Sequence, residues 1–252
     1  MVFSRFKSTK PRLAPAVPPG VRAYAIGDVH GRLDLLDELL AAIDLDNDKR
    51  GAARTHLVML GDLIDRGPDS RGVVERLRRF DLPVIKLILL CGNHEEALLR
   101  LIAGERGLLD DWLTFGGSEC LQSYGLDPAT LRCLGDRDAC DRIREAIPQT
   151  HQSFLQSFGD TVTIGDYLFV HAGIRPGVHL SMQLQRDLRW IRQPFLDDER
   201  DHGCIVVHGH TISEEVIELS NRIGLDTGAY RSGRLSAIGL EGSERWFLET
   251  GG

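Results

Sequence analysis

The 252-residue chain lacks any apolar run that could cross a bilayer, which takes about 18–20 residues. Its longest candidate, residues 82–91, is interrupted by Lys86. Cysteine is sparse: five residues, an odd number, with no pair at Cys-x-x-Cys spacing. That pattern argues against a disulfide framework or a thiolate zinc site and suits a reducing, cytoplasmic compartment. Acid is missing from the first 22 residues, which hold Arg5, Lys7, Lys10, Arg12 and Arg22. That segment is +5, so the rest of the chain carries −12 beneath the net charge of −7. So acidic a body is a poor partner for duplex nucleic acid, whose phosphates need a basic surface. Converging acids can instead hold metal ions. A hydrophobic share of 42% and a charged share of 27% exclude a disordered, collagen-like or coiled-coil chain. The length suits one large α/β domain or two small ones.

Residues 1–21 carry Pro11, Pro15, Pro18, Pro19 and Gly20 among basic and small residues. They hold too little apolar surface to offset the entropy of ordering. A flexible basic tail is expected there, with a domain over residues 22–252. The tail has no 7–15-residue apolar stretch of the kind a secretory signal carries. Residues 23–26 read as a buried strand. Leu33, Leu35, Leu36, Leu39, Leu40 and Ile43 then mark one face of a helix. The pattern repeats twice. A strand over 56–60 precedes a helix over 71–80 capped by Asp69 or Ser70, and a strand over 84–90 precedes a helix over 95–102. Three strand–loop–helix units predict a largely parallel sheet covered by helices. Residues 104–160 read as a helical cap insert. Two more strands follow, over 167–170 and 204–207, and residues 216–248 read as a small antiparallel hairpin region.

The chemistry-bearing residues fall where these strands end. Gly-Asp-Val-His-Gly occupies 27–31, Gly-Asp begins at 61, and Gly-Asn-His-Glu occupies 92–95; His171-Ala-Gly and His208-Gly-His-Thr follow the last two strands. In open α/β sheets, sites form beyond the carboxyl ends of strands. Carboxylate, imidazole and amide oxygen without thiolate suit Mn²⁺, Fe or Zn²⁺, and a pair of ions needs a bridging carboxylate. Asp62, in the middle of the series, is the natural bridge.

Those blocks, together with the longer run Gly-Asp-Leu-Ile-Asp-Arg-Gly at 61–67, closely resemble the calcineurin-like metallophosphoesterases. Within that superfamily they look most like the bacterial serine/threonine phosphoprotein phosphatase branch. The resemblance implies an α/β fold, a β-sandwich flanked by helices in four layers (αββα). It implies two divalent metal ions, Mn²⁺ in vitro with Fe or Zn²⁺ as other candidates, one held by Asp28 and His30 and the other by Asn93, His171 and His210, with Asp62 between them. His208 would only support the site. The further His that many superfamily members carry two residues after their Gly-His is replaced by Ile212, as in the phosphoprotein phosphatase branch.

By the same resemblance, hydroxide generated between the ions attacks phosphorus. Arg66 grips the phosphoryl group, and His94, oriented by Asp65, protonates the leaving group. A second phosphate-binding arginine is expected from the 187–192 stretch: Arg192, with Arg175 as competitor and Arg189 and Trp190 in structural roles. Trp112–Gly125 also resembles the branch and is expected near the substrate entrance. Cys91 stands where many members have Arg or Lys; it reads as a buried core thiol, oxidation sensitivity being the alternative. The expected substrate is a phosphorylated protein or a small phosphoester, with neither nucleic acid nor membrane as partner. The rival reading is a symmetrical diadenosine tetraphosphate hydrolase, whose usual first motif carries Gln where this chain has His30. The lone Asp226-Thr-Gly cannot form the paired carboxylates of an aspartic protease and reads as a turn.

Overall fold

A computed structural model describes residues 14–251. The strand–helix alternation read from the sequence is present: β1 (Val21–Ile26), α1 (Leu33–Lys49), β2 (Arg54–Met59), α2 (Ser70–Arg78), β3 (Ile85–Leu89) and α3 (Asn93–Ile102). A helical stretch follows, with α4 (Leu109–Trp112), α5 (Ser118–Ser123), α6 (Pro128–Arg132), α7 (Asp136–Ala146) and α8 (Gln149–Gln156). Then come β4 (Thr161–Ile164), β5 (Tyr167–Val170), α9 (Gln185–Trp190), β6 (Ile205–His208), β7 (Ile217–Glu218), β8 (Arg222–Gly224), α10 (Ala229–Ser232), β9 (Ser236–Glu241) and β10 (Glu244–Glu249).

The strands form two five-stranded mixed sheets, ordered β10-β9-β1-β2-β3 and β4-β5-β6-β8-β7. Alternation along each strand decides what lies on each face. Ala23, Ala25, Val58 and Leu60 meet Tyr167, Phe169, Ile205 and Val207 between the sheets. Tyr24, Ile26, Leu57 and Met59 face outward onto Leu36, Leu39, Leu40 and Ile43 of α1. On the far side, Leu168, Val170 and Val206 pack under Leu188, Ile191 and Phe195. The result is the expected αββα layering, with a thin fourth layer made by α9 and its flanking turns. Among the described residues no helix is long and apolar enough to cross a membrane.

Three details differ from the sequence reading. The C-terminal region is not one hairpin. β8 lies inside the second sheet, parallel to β6, while β9 pairs antiparallel with β1 in the first and β10 antiparallel with β9. Alternation says that a strand buries one face, and both sheets bury theirs in the same core, so it cannot say which sheet a strand joins. The edge strand β4, mostly exposed, was not anticipated. The tail boundary also moves. Residues 1–13 lie outside the described residues, but from Ala14 on the chain is engaged. Val17 is buried between the sheets, and its N–H donates to the Gly242 carbonyl at 2.9 Å. One apolar side chain and a few backbone bonds suffice because proline limits how much freedom the segment has to lose.

The insert is helical, as expected, and it shares the core of α1–α3: Trp112, Leu121, Ile143 and Leu155 pack with Leu77, Leu98 and Leu101. It is a sideways extension of the helical layer, and its first turns reach the strand ends.

Candidate active site

Both sheets send the carboxyl ends of their parallel strands to the same place. Asp28 and His30 follow β1, Asp62 to Arg66 follow β2, Asn93 and His94 open α3 after β3, His171 follows β5 and His210 follows β6. The backbone is strained there. Among the described residues, His30, Asp62, Asp65, Arg66 and His210 are the non-glycine positions with positive φ, from 45° to 72°. Each such conformation costs on the order of 1–3 kcal/mol and concentrates where function requires it.

Asp62 is the hub. Its Oδ2 lies 3.4 Å from His171 Nε2, 3.7 Å from His30 Nε2 and 3.8 Å from His94 Nε2. Two trios of ligand atoms, each within 4.8 Å of one another, share it: His30, Asp62 and His94, and Asp62, His171 and His210. Ring orientation is set from behind. His30 Nδ1 sits 2.8 Å from the Ile64 carbonyl and His171 Nδ1 2.9 Å from that of Leu60. Each ring thus donates through Nδ1 and turns an Nε2 lone pair toward Asp62. Asn93 Oδ1 is 3.0 Å from His171 Nε2.

Imidazole nitrogens, carboxylates and an amide oxygen converging without thiolate are a donor set that fits divalent ions. His210 Nε2 is buried without a hydrogen-bond partner. Burial, reinforced by His171, pushes its pKa down to about 2, so it stays a neutral donor. Burial likewise holds His30 well below its ordinary value. Burial also raises Asp28 well above the usual carboxylate range, with Asp226 and Asp62 adding to the effect, which is crowding that a cation would relieve. Burial alone would raise Asp62, but the surrounding histidines outweigh it and hold it well below.

Asp28 belongs to neither trio. Both its oxygens accept from the His210 N–H, at 3.1 and 3.0 Å, so it anchors the loop that carries His210. The approach is close enough that a Cβ on Gly209 would lie 2.0 Å from Asp28 Oδ1.

Beside the hub stands a hydrogen-bonded chain. His94 Nδ1 is 2.6 Å from Asp65 Oδ2, and the Trp112 indole N–H donates to that same oxygen at 2.7 Å. Burial opposes a charge on His94, but Asp62 and Asp65 prevail and its pKa is raised. Arg66 spans the mouth, with one terminal nitrogen 2.9 Å from His30 Nε2 and the other 3.1 Å from His94 Nε2. Its guanidinium carbon lies 5.0 Å from the Tyr230 ring centre. Its backbone N–H donates to the Gly116 carbonyl. Gly116, at φ 109°, comes so close that a Cβ would stand 2.5 Å from Arg66 Cγ. Residues 112–116 of the insert therefore brace the Asp65–Arg66 turn.

The calcineurin-like phosphoesterase family pattern matches residues 21–249. The chain belongs to that family. It is 35% identical over 226 residues to serine/threonine-protein phosphatase 1 of Salmonella typhimurium, covering 86% of this chain and 91% of that one. It is also 42% identical to the symmetrical bis(5'-nucleosyl)-tetraphosphatase of Yersinia enterocolitica, over 81 residues that make up 32% of this chain and 25% of the relative. The chain thus spans about a quarter of the tetraphosphatase it matches. The crystal structure of a protein described as a diadenosine tetraphosphatase superposes with a TM-score of 0.65 at 23% identity, covering 94% of this chain and 98% of that one. At that identity the likeness speaks for the fold.

Other positions in this metallophosphoesterase sort by their contacts. Arg175 makes a two-pronged ion pair with Asp187, at 2.6 and 2.7 Å, so its charge is engaged. Arg192 has no ion pair or side-chain hydrogen bond among the described residues, and its charge acts on His210. Arg189 pairs with Asp160 and Glu96. His208 is buried against Phe195, outside both trios. Burial lowers its pKa to about 4. Cys91 is buried, and burial pushes its thiol up.

Trp112, expected near the substrate entrance without a role of its own, gains its contact with Asp65 by folding, and two contributors, Tyr230 and Glu95, escaped the sequence reading. Glu95 accepts from the N–H groups of Asp62, Gly92 and Leu63 at 2.9, 2.8 and 2.7 Å. Its signal was present: a glutamate three residues after the helix-opening glycine reaches back to that residue's N–H.

Proposed function

We propose that the protein is a phosphomonoesterase using two divalent metal ions, manganese in vitro, and that its substrates are proteins phosphorylated on serine or threonine. Asp28, His30, Asp62, Asn93, His171 and His210 would hold the ions, which supply a nucleophilic hydroxide near neutral pH and offset charge on the phosphoryl group. The observation that carries the reading is the His94–Asp65 pair beside Asp62, with Arg66 across its mouth. A serine or threonine alkoxide is a poor leaving group and needs a proton as the bond to phosphorus breaks. His94 is placed to give one. Asp65, itself gripped by Trp112, fixes the ring and favours its charged form. With metal on His30, the terminal nitrogens of Arg66 are left for phosphoryl oxygens. Arg192, uncommitted and close enough to act on His210, supplies the second guanidinium. The near full-length likeness to a serine/threonine phosphatase and the presence of His30 support this substrate class, and sparse cysteines of odd number suit a cytoplasmic setting.

Dinucleoside polyphosphate hydrolysis is the second reading, favoured by the tetraphosphatase likeness. A nucleotide leaving group needs little protonation, so one substitution separates the two. With Mn²⁺ restored after chelation, His94→Asn should cut kcat by roughly 10²–10⁴ on a phosphoserine peptide and far less on an aryl phosphate. Equal losses on both would remove His94 as the acid. Faster turnover of diadenosine tetraphosphate than of phosphopeptide by the unsubstituted enzyme would replace the first reading with the second.

A further inference from the structure

A cleft opens beside the site, lined by Arg175, Leu184, Arg186, Trp190 and Arg192. Its wall is tied to the centre. The Leu188 carbonyl of α9 accepts from the N–H of Ala172, next to His171, at 2.8 Å, and the charge of Arg192 acts on His210. Trp190 is fixed yet 39% exposed. Its indole N–H donates to Glu96 Oε2 at 3.2 Å. The same oxygen takes Arg189 at 3.3 Å. Glu96 sits on α3 two residues after His94, so the ring on α9 is tethered to the element that carries His94. Leu184 is 66% exposed. An aromatic ring held by its polar tip with its face open, next to an exposed leucine, is a built recognition surface. The charges agree. Arg175 is ion-paired with Asp187, whose carboxylate also feels the charge of Arg186; Arg186 and Arg192 make no ion pair or side-chain hydrogen bond among the described residues. Three guanidinia around the single carboxylate of Asp187 leave a local excess of positive charge that attracts anions.

We propose that this cleft binds the polypeptide flanking the phosphorylated residue and selects segments that carry acidic next to apolar side chains. The inference rests on the phosphoprotein reading above and adds its sequence preference. With the phosphoryl group at Arg66 and Arg192, the flanking residues run along Trp190, Leu184 and Arg186, which match an extended peptide presenting both an acidic and an apolar group.

The test uses the full-length, Mn²⁺-loaded protein. Its substrates are phosphoserine peptides of equal length with acidic–apolar or basic flanks, an aryl phosphate, and diadenosine tetraphosphate. The acidic peptide should show about tenfold higher kcat/KM than the basic one, expressed in KM and shrinking as salt is raised. Arg186→Glu should lower the ratio of acidic-peptide to aryl-phosphate kcat/KM about tenfold and bring the basic peptide level with the acidic one. Trp190→Phe should lower that ratio for both peptides. An unchanged ratio in both variants, with aryl phosphate still hydrolysed, overturns the cleft while leaving the phosphatase reading intact. Failure to hydrolyse aryl phosphate or either peptide overturns the phosphatase reading itself. A larger loss on diadenosine tetraphosphate than on peptide in Trp190→Phe would make a nucleotide the occupant. A shift in sedimentation between dimer and monomer on Arg186→Glu would make the face a contact between copies; either result rejects the peptide.

Discussion

Replacing Glu95 by glutamine removes one negative charge and changes almost no volume. Its consequences can be worked from three hydrogen bonds. One carboxylate oxygen accepts from the N–H groups of Asp62 and Gly92, the other from that of Leu63. All three donors are buried, so none can turn to water. Glutamine has one acceptor oxygen, and its best placement keeps the first two bonds and points its NH₂ at the Leu63 N–H. That loses one charge-assisted bond and strands a buried donor, a loss of roughly 2–3 kcal/mol. For a domain of this size, Tm should fall by roughly 4–12 °C. The same bonds set the left-handed backbone of Asp62, so affinity for the second equivalent of Mn²⁺ should weaken as well. Thermal denaturation with and without chelator, and calorimetric titration of Mn²⁺, would measure both. Glu145→Gln, at a side chain 71% exposed with only a 3.9 Å contact to Arg142, is the control and should leave Tm nearly unchanged. A Glu95→Gln protein with the melting point and Mn²⁺ binding of the parent would refute the reasoning.

Asp62→Asn should lose metal and activity together, because the shared oxygen of both trios disappears; elemental analysis finding two ions retained would reject Asp62 as the bridge. Trp112→Phe keeps the ring packing but leaves Asp65 with one hydrogen bond fewer, so stability should drop by about 1.5–3 kcal/mol and kcat on phosphoserine peptide should fall more than on aryl phosphate. A parallel loss on both substrates would mean that Trp112 acts on stability alone. His208, with a folded pKa of about 4, stays neutral when an unfolded histidine, at about 6.5, takes a proton. Its stabilising effect is complete above that value and is lost as pH falls through the interval toward 4, reaching roughly 2 kcal/mol by pH 5. Urea denaturation of the metal-free protein should show a flatter pH dependence in His208→Gln between pH 7 and 5; an identical slope would show that His208 does not titrate this way.

Much of the site was legible because its residues are local to their elements. A short apolar run followed by Gly-Asp or Gly-Asn is visible in one dimension, and parallel strands bring their carboxyl ends to one edge. Asp62, His171 and His210 meet as the strand order required. The resemblance favoured Arg192 over Arg175, and the tertiary structure adds the physical difference between them: Asp187, buried on α9, ties up Arg175 and makes no ion pair with Arg192. Val17 illustrates the opposite error. Composition marks the segment around it as unable to fold alone, which does not stop it from adding to a core that other residues have already built.

Periodicity was enough to place the strand–helix units and the strand ends where the Asp, His and Asn residues fall, since both depend on neighbours within a few residues, and the motifs carried the family resemblance that implied the αββα class. Tertiary structure alone decided the rest. It placed β8 in one sheet and β9 in the other, brought Trp112 from 47 positions away onto Asp65, and set Tyr230 beside Arg66. Such pairings depend on which buried faces and donors meet once the layers close, and a chain read locally holds no record of that meeting.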